Sequence, residues 1–425
     1  MKNFLPSVRW SRAPQWAFAV MTAGSVLACG DATGPRSGGG PPPAITALPR
    51  SLTVTESKVR DAANDFSFAL LRTVSESQRT ANTFISPLSA SFALGMLLNG
   101  ANAQSYDEIQ TALQLRGLTQ AEINAGYKSL VALLLSLDPS VQMRVANSIW
   151  YEKTFSVHSS FLDTTRKYFN AEVTGLNFQD KPTTLGAING WVSTATNDKI
   201  KKVLDDISPD AVMFLINAIY FKGDWRDKFD VAKTQNGTFT PSVGSAQTVA
   251  LMNRSGDLSY AETGTYQAVD LPYGNTAYSM TVVLPKAGQD VNDVAIGFTA
   301  ASWQTLAGSF RKEKVDLTFP RLKLEYERVL NDDLKALGMK VPFVGPADFS
   351  RMTPRSVIVS FVKQNSFVDI NEEGTEAAAV TTIGVEVVSA PQRFTVRVDR
   401  PYLFVIRERL SGTVVFMGRV VRIPG

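Results

Sequence analysis

His158 is the only histidine and Cys29 the only cysteine in a chain of 425 residues. A Ser–His–Asp or Cys–His relay would have to be built on that one imidazole. Its surroundings, KTFSVHSSF, carry no nucleophile motif, so His158 reads as an ordinary surface or half-buried residue. HExxH, GxSxG, GxxxxGK[ST] and GxGxxG do not occur, which leaves no recognisable zinc-protease, hydrolase or nucleotide-binding motif. One cysteine forms no intrachain disulfide and no cysteine-based metal site. Pairs of adjacent acids remain as candidates for acid–base work, among them Asp205–Asp206, Asp332–Asp333 and Glu372–Glu373. Adjacent carboxylates on a solvated turn are common, so they are weak signals. The chain is therefore expected to be no enzyme, with no catalytic residue, metal or cofactor.

A different pattern stands near the C-terminus, in EEGTEAAAVTTIGVEVVSAP, residues 372–391. Taken in steps of two from Thr375, one set is Thr375, Ala377, Ala379, Thr381, Ile383, Val385 and Val387, all small or apolar. The other set is Glu376, Ala378, Val380, Thr382, Gly384 and Glu386, and it holds both charges. A strand would send the two sets to opposite faces, and no proline interrupts the run. The first half has little apolar area to anchor it, and the flanks NEEG and SAPQR are polar and turn-like. An edge strand and an exposed loop are both compatible with these residues.

The elements that must position this segment follow from the rest of the chain. Hydrophobic residues make up 44% and charged residues 19%, a globular composition. The formal charge is +4, and removal of Lys2, Arg9 and Arg12 with a leader would leave +1, so no nucleic-acid partner is implied. The clusters Lys199, Lys201, Lys202 and Arg311, Lys312, Lys314 read as solvated faces. An anionic cofactor site is the alternative reading of those clusters. Residues 1–28 have a basic start and a short apolar stretch, WAFAVMTAGSVLA, the pattern of an export signal. VLAC resembles a lipobox, with Cys29 as the lipidated residue; secretion without lipidation is the alternative. Residues 29–50, rich in Gly and Pro, read as a tether. The expected location is extracytoplasmic, as a membrane-anchored or secreted protein in the periplasm or at the cell surface.

From residue 51 to 425 there is no second linker and no repeat. Helical spacing of Val59, Ala63, Phe66 and Leu70 predicts a first helix. Ser86 as cap, Pro87 in the first turn and Gly100 as stop frame a second, buried one. Further helices are expected over Ser105–Leu115 and Leu185–Leu204. AVMFLINAIYF suits a strand covered on both faces. VDLTFPRLKLEYE, RFTVRV, YLFVI and TVVFMGRVV alternate or run apolar as strands, the last two forming a hairpin. Helices first and strands later argue for an α+β fold with large, mostly antiparallel sheets.

Several stretches together resemble the serpins, in order and with consistent spacing: NTFISPLSASFALGML, VANSIWYEKTFSV, NAIYFKGDW, LSYAETGTYQAVDLPYGN, DLTFPRLKLEYERVLNDDLKALGM, FVDINEEGTEAAA, DRPYLFVIRE and GTVVFMGRV. The resemblance covers nearly all of residues 51–425. It implies one large domain of three sheets and about nine helices, with an exposed reactive-centre loop near the C-terminus. It implies inhibition of a serine, or alternatively a cysteine, protease by suicide. The protease cuts the loop and is acylated, and the loop then inserts into the central sheet. Glu372, Gly374, Thr375, Glu376, Ala377, Ala378 and Ala379 match the hinge, whose small residues suit passage between parting strands. The matched reactive bond is Val388–Ser389, or one shifted to Val387 or Ala390. Each alternative favours an elastase-like enzyme with a small apolar pocket. Ser86, Ser89 and Asn217 match the polar cluster under the sheet. Gln364 stands there where the family usually has histidine, and Trp225 matches the tryptophan at the sheet top. Lys222 and Asn217 also read as plain structural residues. The implied partner is a protease, with a monomeric inhibitor touching membrane only through Cys29. A non-inhibitory member acting as a binding or structural protein is the alternative, but such members usually carry bulky, charged or proline residues in the hinge.

Overall fold

The computed structural model describes residues 41–375 and 393–424. Thr53 and Glu56 close a capping box that starts α1 (Val54–Ser77), and Val59, Ala63, Phe66 and Leu70 form its buried stripe, as the spacing predicts. After β1 (Thr83–Ile85), Pro87 opens α2 (Pro87–Gly100), which is buried on almost every side. Ser86 occupies the cap position, but its hydroxyl does not cap: it donates to the Val415 carbonyl at 2.8 Å. Next come α3 (Ala103–Ala112), α4 (Gln120–Ser136), β2 (Val141–Glu152), α5 (Ser159–Phe169) and β3 (Glu172–Leu176). His158 precedes α5 and is exposed.

The helix expected over Leu185–Leu204 is α6 (Lys181–Ala195). Asp180 caps it earlier, accepting from the Thr183 N–H. It stops because Asn197 and Asp198 turn left-handed, with φ of 50° and 59°. Ile200, Val203 and Leu204 still join the apolar cluster of Ile188 and Val192. Their spacing reported burial, not helix.

Strands then dominate: β4 (Met213–Asp224), β5 (Gln235–Phe239), β6 (Gln247–Glu262), β7 (Tyr266–Pro272) and β8 (Tyr278–Pro285). Short helices α7 (Val291–Gly297) and α8 (Ala300–Ser309) precede β9 (Arg311–Pro320) and β10 (Leu322–Val329). The chain continues through α9 (Asn331–Ala336), α10 (Val341–Val344), β11 (Lys363–Ile370) and β12 (Gly374–Thr375). It ends with β13 (Phe394–Arg397), β14 (Tyr402–Glu408) and β15 (Val414–Val420), the last two paired antiparallel as expected.

Six strands form the central sheet in the order β10-β11-β12-β4-β2-β3. Nine form the other ladder, β1-β15-β14-β8-β7-β6-β9-β13 with β5 on β6. The fold is α+β with three sheets, two of them fused because the 16-residue β6 pairs with β5, β7 and β9. β4 is covered on both faces, as its unbroken apolar run requires. Phe214, Ile216 and Ala218 pack with α6 in one cluster, while Ile219 and Phe221 lie in the main core. The end of the expected tether, Pro42–Arg50, packs on this body: Ile45 and Leu48 lie against the core, and Arg50 pairs with Glu56. The basic clusters make local contacts: Lys202 pairs with Asp205, Lys314 with Asp257, and Lys199 lies over the Phe367 ring.

Candidate functional site

β4 leaves the central sheet at Asp224, and there the segment expected to be the hinge meets it. The Trp225 N–H donates to the Glu373 carbonyl at 2.7 Å and the Phe229 N–H to that of Glu372 at 2.9 Å. The Trp225 indole N–H donates to the Asn371 carbonyl at 2.9 Å. This brings Gly374 opposite Asp224 and Thr375 opposite Gly223, with Thr375 also paired to Ile370 of β11. Two hinge residues thus already stand as a short strand between β4 and β11. Glycine is required at 374 because a Cβ there would run into the Gly223 carbonyl oxygen and lie 2.6 Å from the Asp224 Cα. Thr375 is buried, and its hydroxyl shares a 3.0 Å hydrogen bond with the Tyr273 phenol. The Tyr273 ring stacks on Trp225 with centroids 4.5 Å apart and planes at 11°. Burial pushes the Tyr273 phenol well above its ordinary pKa, so it stays neutral.

The two hinge carboxylates are not on a solvated turn, as their adjacency suggested. Glu372 and Glu373 are 4% and 7% exposed. Each has its own cation, which makes the burial tolerable. Arg321 grips Glu372 through Nη2 at 2.6 Å and Nε at 2.8 Å, and the Thr234 hydroxyl adds a bond at 2.5 Å. Lys228 pairs with Glu373 at 2.5 Å. Burial pushes the Glu372 carboxyl upward, but the Arg321 and Thr234 bonds outweigh it and hold the group below the usual carboxylate range.

Lower in the sheet, Gln364 and Ser86 form a closed ring of bonds. The Gln364 amide donates to the Ser86 carbonyl at 2.8 Å and accepts from the Ser86 N–H at 3.1 Å. The glutamine therefore uses both its donor and its acceptor. Asn217 donates to Asn147 Oδ1 at 2.7 Å, and Asn147 in turn to the Phe169 carbonyl at 2.9 Å. The Ser89 hydroxyl is buried with no partner among the described residues. The geometry joins Ser86 to Gln364 and Asn217 to Asn147, but forms no single network of all four expected residues.

Tyr273, Arg321, Lys228, Thr234 and Asn147 were not singled out from sequence. Tyr273 and Arg321 lie inside conspicuous stretches, VDLPYGN and FPRLKL, but nothing in their spacing announces a contact with Thr375 or Glu372. Glu376, Ala377, Ala378, Ala379, the bond Val388–Ser389 and Cys29 lie outside the described residues. Among the described residues no group of three or more His, Cys, Asp or Glu side chains could hold a metal ion.

A large central sheet with a short strand of hinge seated at its top defines a recognisable class. The family model described as serpin (serine protease inhibitor) matches residues 61–423, and the chain belongs to the serpin family. It is 32% identical over 375 residues to neuroserpin of Homo sapiens, covering 85% of this chain and 91% of that protein. It is 31% identical over 372 residues to an uncharacterized serpin-like protein of Thermococcus kodakarensis, covering 86% of each. The thermophilic serpin tengpin in its native state superposes with a TM-score of 0.80 at 29% identity, covering 90% of this chain and 97% of that one. Human thyroxine-binding globulin, solved with its hormone, superposes with a TM-score of 0.79 at 25% identity, covering 88% and 100%.

Proposed function

We propose that this protein is a suicide-substrate inhibitor of elastase-like serine proteases, cut at Val388–Ser389. The observation that carries this reading is the seating of Gly374 and Thr375 between β4 and β11. Among the described residues no ladder joins β4 to β11 directly; β12 is the strand they share. Continuing the β12 register would set Ala377, Ala379, Thr381, Ile383 and Val385 opposite Phe221, Ile219, Asn217, Leu215 and Met213, on the main-core face. On the β11 side it would bring Thr381 opposite Gln364. The inserted strand could pair with all 12 residues of β4, a run of about 40 Å at 3.3 Å per residue. Small side chains in the first half pass easily between the strands, and the apolar ones follow into the core. A β-branched Val388 suits a small apolar pocket and not one built for Lys or Arg.

Mixing the intact protein with an elastase-type protease should give a covalent complex that survives SDS, with the inhibitor cut after Val388. Cleavage without complex would refute inhibition. We further infer export as a monomer anchored through a lipid on Cys29, with the folded body outside the cytoplasm. Loss of detergent-phase partition in Cys29→Ala is the expected result, and unchanged partition would exclude the anchor.

A second reading, a non-inhibitory member acting as a binding protein, is favoured by one observation. A cavity of about 180 Å³ lies among Arg60, Asn64, Trp303, Gln304, Arg407 and Ser411, with the Arg407 guanidinium 5.7 Å from the Trp303 ring centre. The similar thyroxine-binding globulin was solved in complex with thyroxine. Quenching of tryptophan fluorescence by thyroxine, lost in Trp303→Phe and accompanied by no complex with any protease, would favour this reading.

A further inference from the structure

The turn that carries Tyr273 is strained and is held from outside. Thr276 sits at φ 76°, a left-handed conformation that a β-branched residue resists. Gly274, at φ 36°, is packed against Ser140 and Asp138. Three bonds come to this region from the segment just before α1. The Ile45 N–H donates to the Asn275 carbonyl at 2.8 Å, and the Thr276 hydroxyl donates to the Ile45 carbonyl at 3.2 Å. Arg226 Nη1 donates both to the Pro42 carbonyl at 2.8 Å and to that of Gly274 at 2.9 Å. The segment is moored further on: Leu48 and Leu52 lie against the core, and Arg50 bonds Glu56 and Ser129. Arg226 directly follows Trp225, where β4 leaves the sheet, and the turn directly precedes β8.

We propose that residues Pro42–Leu48 are a strap that clamps the exit of β4 to the turn Pro272–Ala277, and so holds the hinge at its partly seated position. The inference rests on the inhibitory reading, because it concerns what limits loop entry. For the loop to advance past Thr375, β4 must move away from β11. The top of β4 is tied through Arg226 to the strap and the turn, and the turn is tied through Tyr273 to Thr375 itself. Freeing the strap removes the Ile45 bonds to Asn275 and Thr276; Arg409 still holds the Thr276 carbonyl and Asp138 the Asn275 N–H, so the turn is loosened and not released. Tyr273 then fixes Thr375 and braces Trp225 less firmly. Pro41–Ala44, Thr46 and Ala47 are exposed, so an endoprotease reaches the strap without unfolding the body. A nick there would shorten the lifetime of the loaded inhibitor.

The test uses the full chain with Ile45→Pro, which removes the N–H that bonds Asn275. Hydrogen–deuterium exchange is followed on the uncleaved protein. Peptides covering 223–229 and 273–278 should exchange about tenfold faster than in the parent, the effect of losing one or two net hydrogen bonds. Peptides of β14 and β15 should not change. Ile45→Ala keeps the N–H but loses the apolar anchor at a half-buried surface position, and should give a smaller rise in the same peptides. Exchange at the parent rate in both variants, or a rise spread evenly through β14 and β15, would overturn the strap. No protease and no cut loop are needed, so this outcome is separable from failure of the inhibitory reading.

Discussion

On the inhibitory reading, Thr375→Arg should turn the protein from an inhibitor into a substrate. Thr375 is 2% exposed, bonded to Tyr273, and faces Gly223 across the ladder. The Tyr273 ring fills that side: a Cβ placed on Gly223 would lie 3.0 Å from it. The side-chain partner of Thr375 is a neutral phenol and not a carboxylate, so a guanidinium here must either be buried away from a paired acid or give up the β12 pairing. An unpaired buried charge costs several kcal/mol. Even about 3 kcal/mol added to the insertion barrier slows insertion about 150-fold. Insertion competes with hydrolysis of the acyl-enzyme, so a slowing of that size lets the protease escape. The assay is the stoichiometry of inhibition against an elastase-type enzyme, with complex and cleaved inhibitor resolved by SDS electrophoresis. The complex should fall to less than about a tenth of the parent's yield, while cleavage after Val388 continues at the parent rate. Thr375→Val, which keeps the shape and loses only the Tyr273 bond, should remain an inhibitor. Undiminished complex from the arginine variant would refute the placement of Thr375 on the core face.

Glu372 carries a pH dependence of definite sign. Its folded pKa lies below the unfolded one, so its stabilisation is full above the ordinary carboxylate range and is lost as pH falls through the folded value. Glu372→Gln should cost about 2 kcal/mol at pH 7, lowering the melting temperature of the intact form, and should cost little once acid has protonated the parent. Gln364→Leu strands the buried Ser86 N–H, while the Ser86 carbonyl keeps its bond from the Ala90 N–H, and should destabilise the intact form by about 1–3 kcal/mol in denaturant titration. Gln364→His should make stability fall as pH drops through the imidazole pKa, because the protonated ring no longer accepts from the Ser86 N–H; a flat profile from pH 8 to 5 would contradict that. Val388→Arg should transfer inhibition from elastase-type to trypsin-type enzymes, read as second-order inhibition rates against both.

The alternation from Thr375 and the small residues Ala377–Ala379 are local facts, legible because a strand's two faces repeat every second residue. The strands of the β14–β15 hairpin, the two-sided burial of β4 and the stripe of α1 were legible for the same reason: periodicity encodes which side faces the core. The end of α6 was not, because Ile200, Val203 and Leu204 keep their apolar spacing after the backbone has turned away. Nor were the burial of Glu372 and Glu373, the use of Ser86 for Val415 in place of a helix cap, or the meeting of Tyr273 with Thr375. Those contacts join residues 51, 145, 329 and 102 positions apart. A charge reads as exposed until its partner is brought to it, and a hydroxyl reads as a cap, accepting from the helix N–H groups, until a distant carbonyl draws it away as a donor. Pairing over such distances is set only when the sheets close, so the tertiary structure alone decided how the hinge is held.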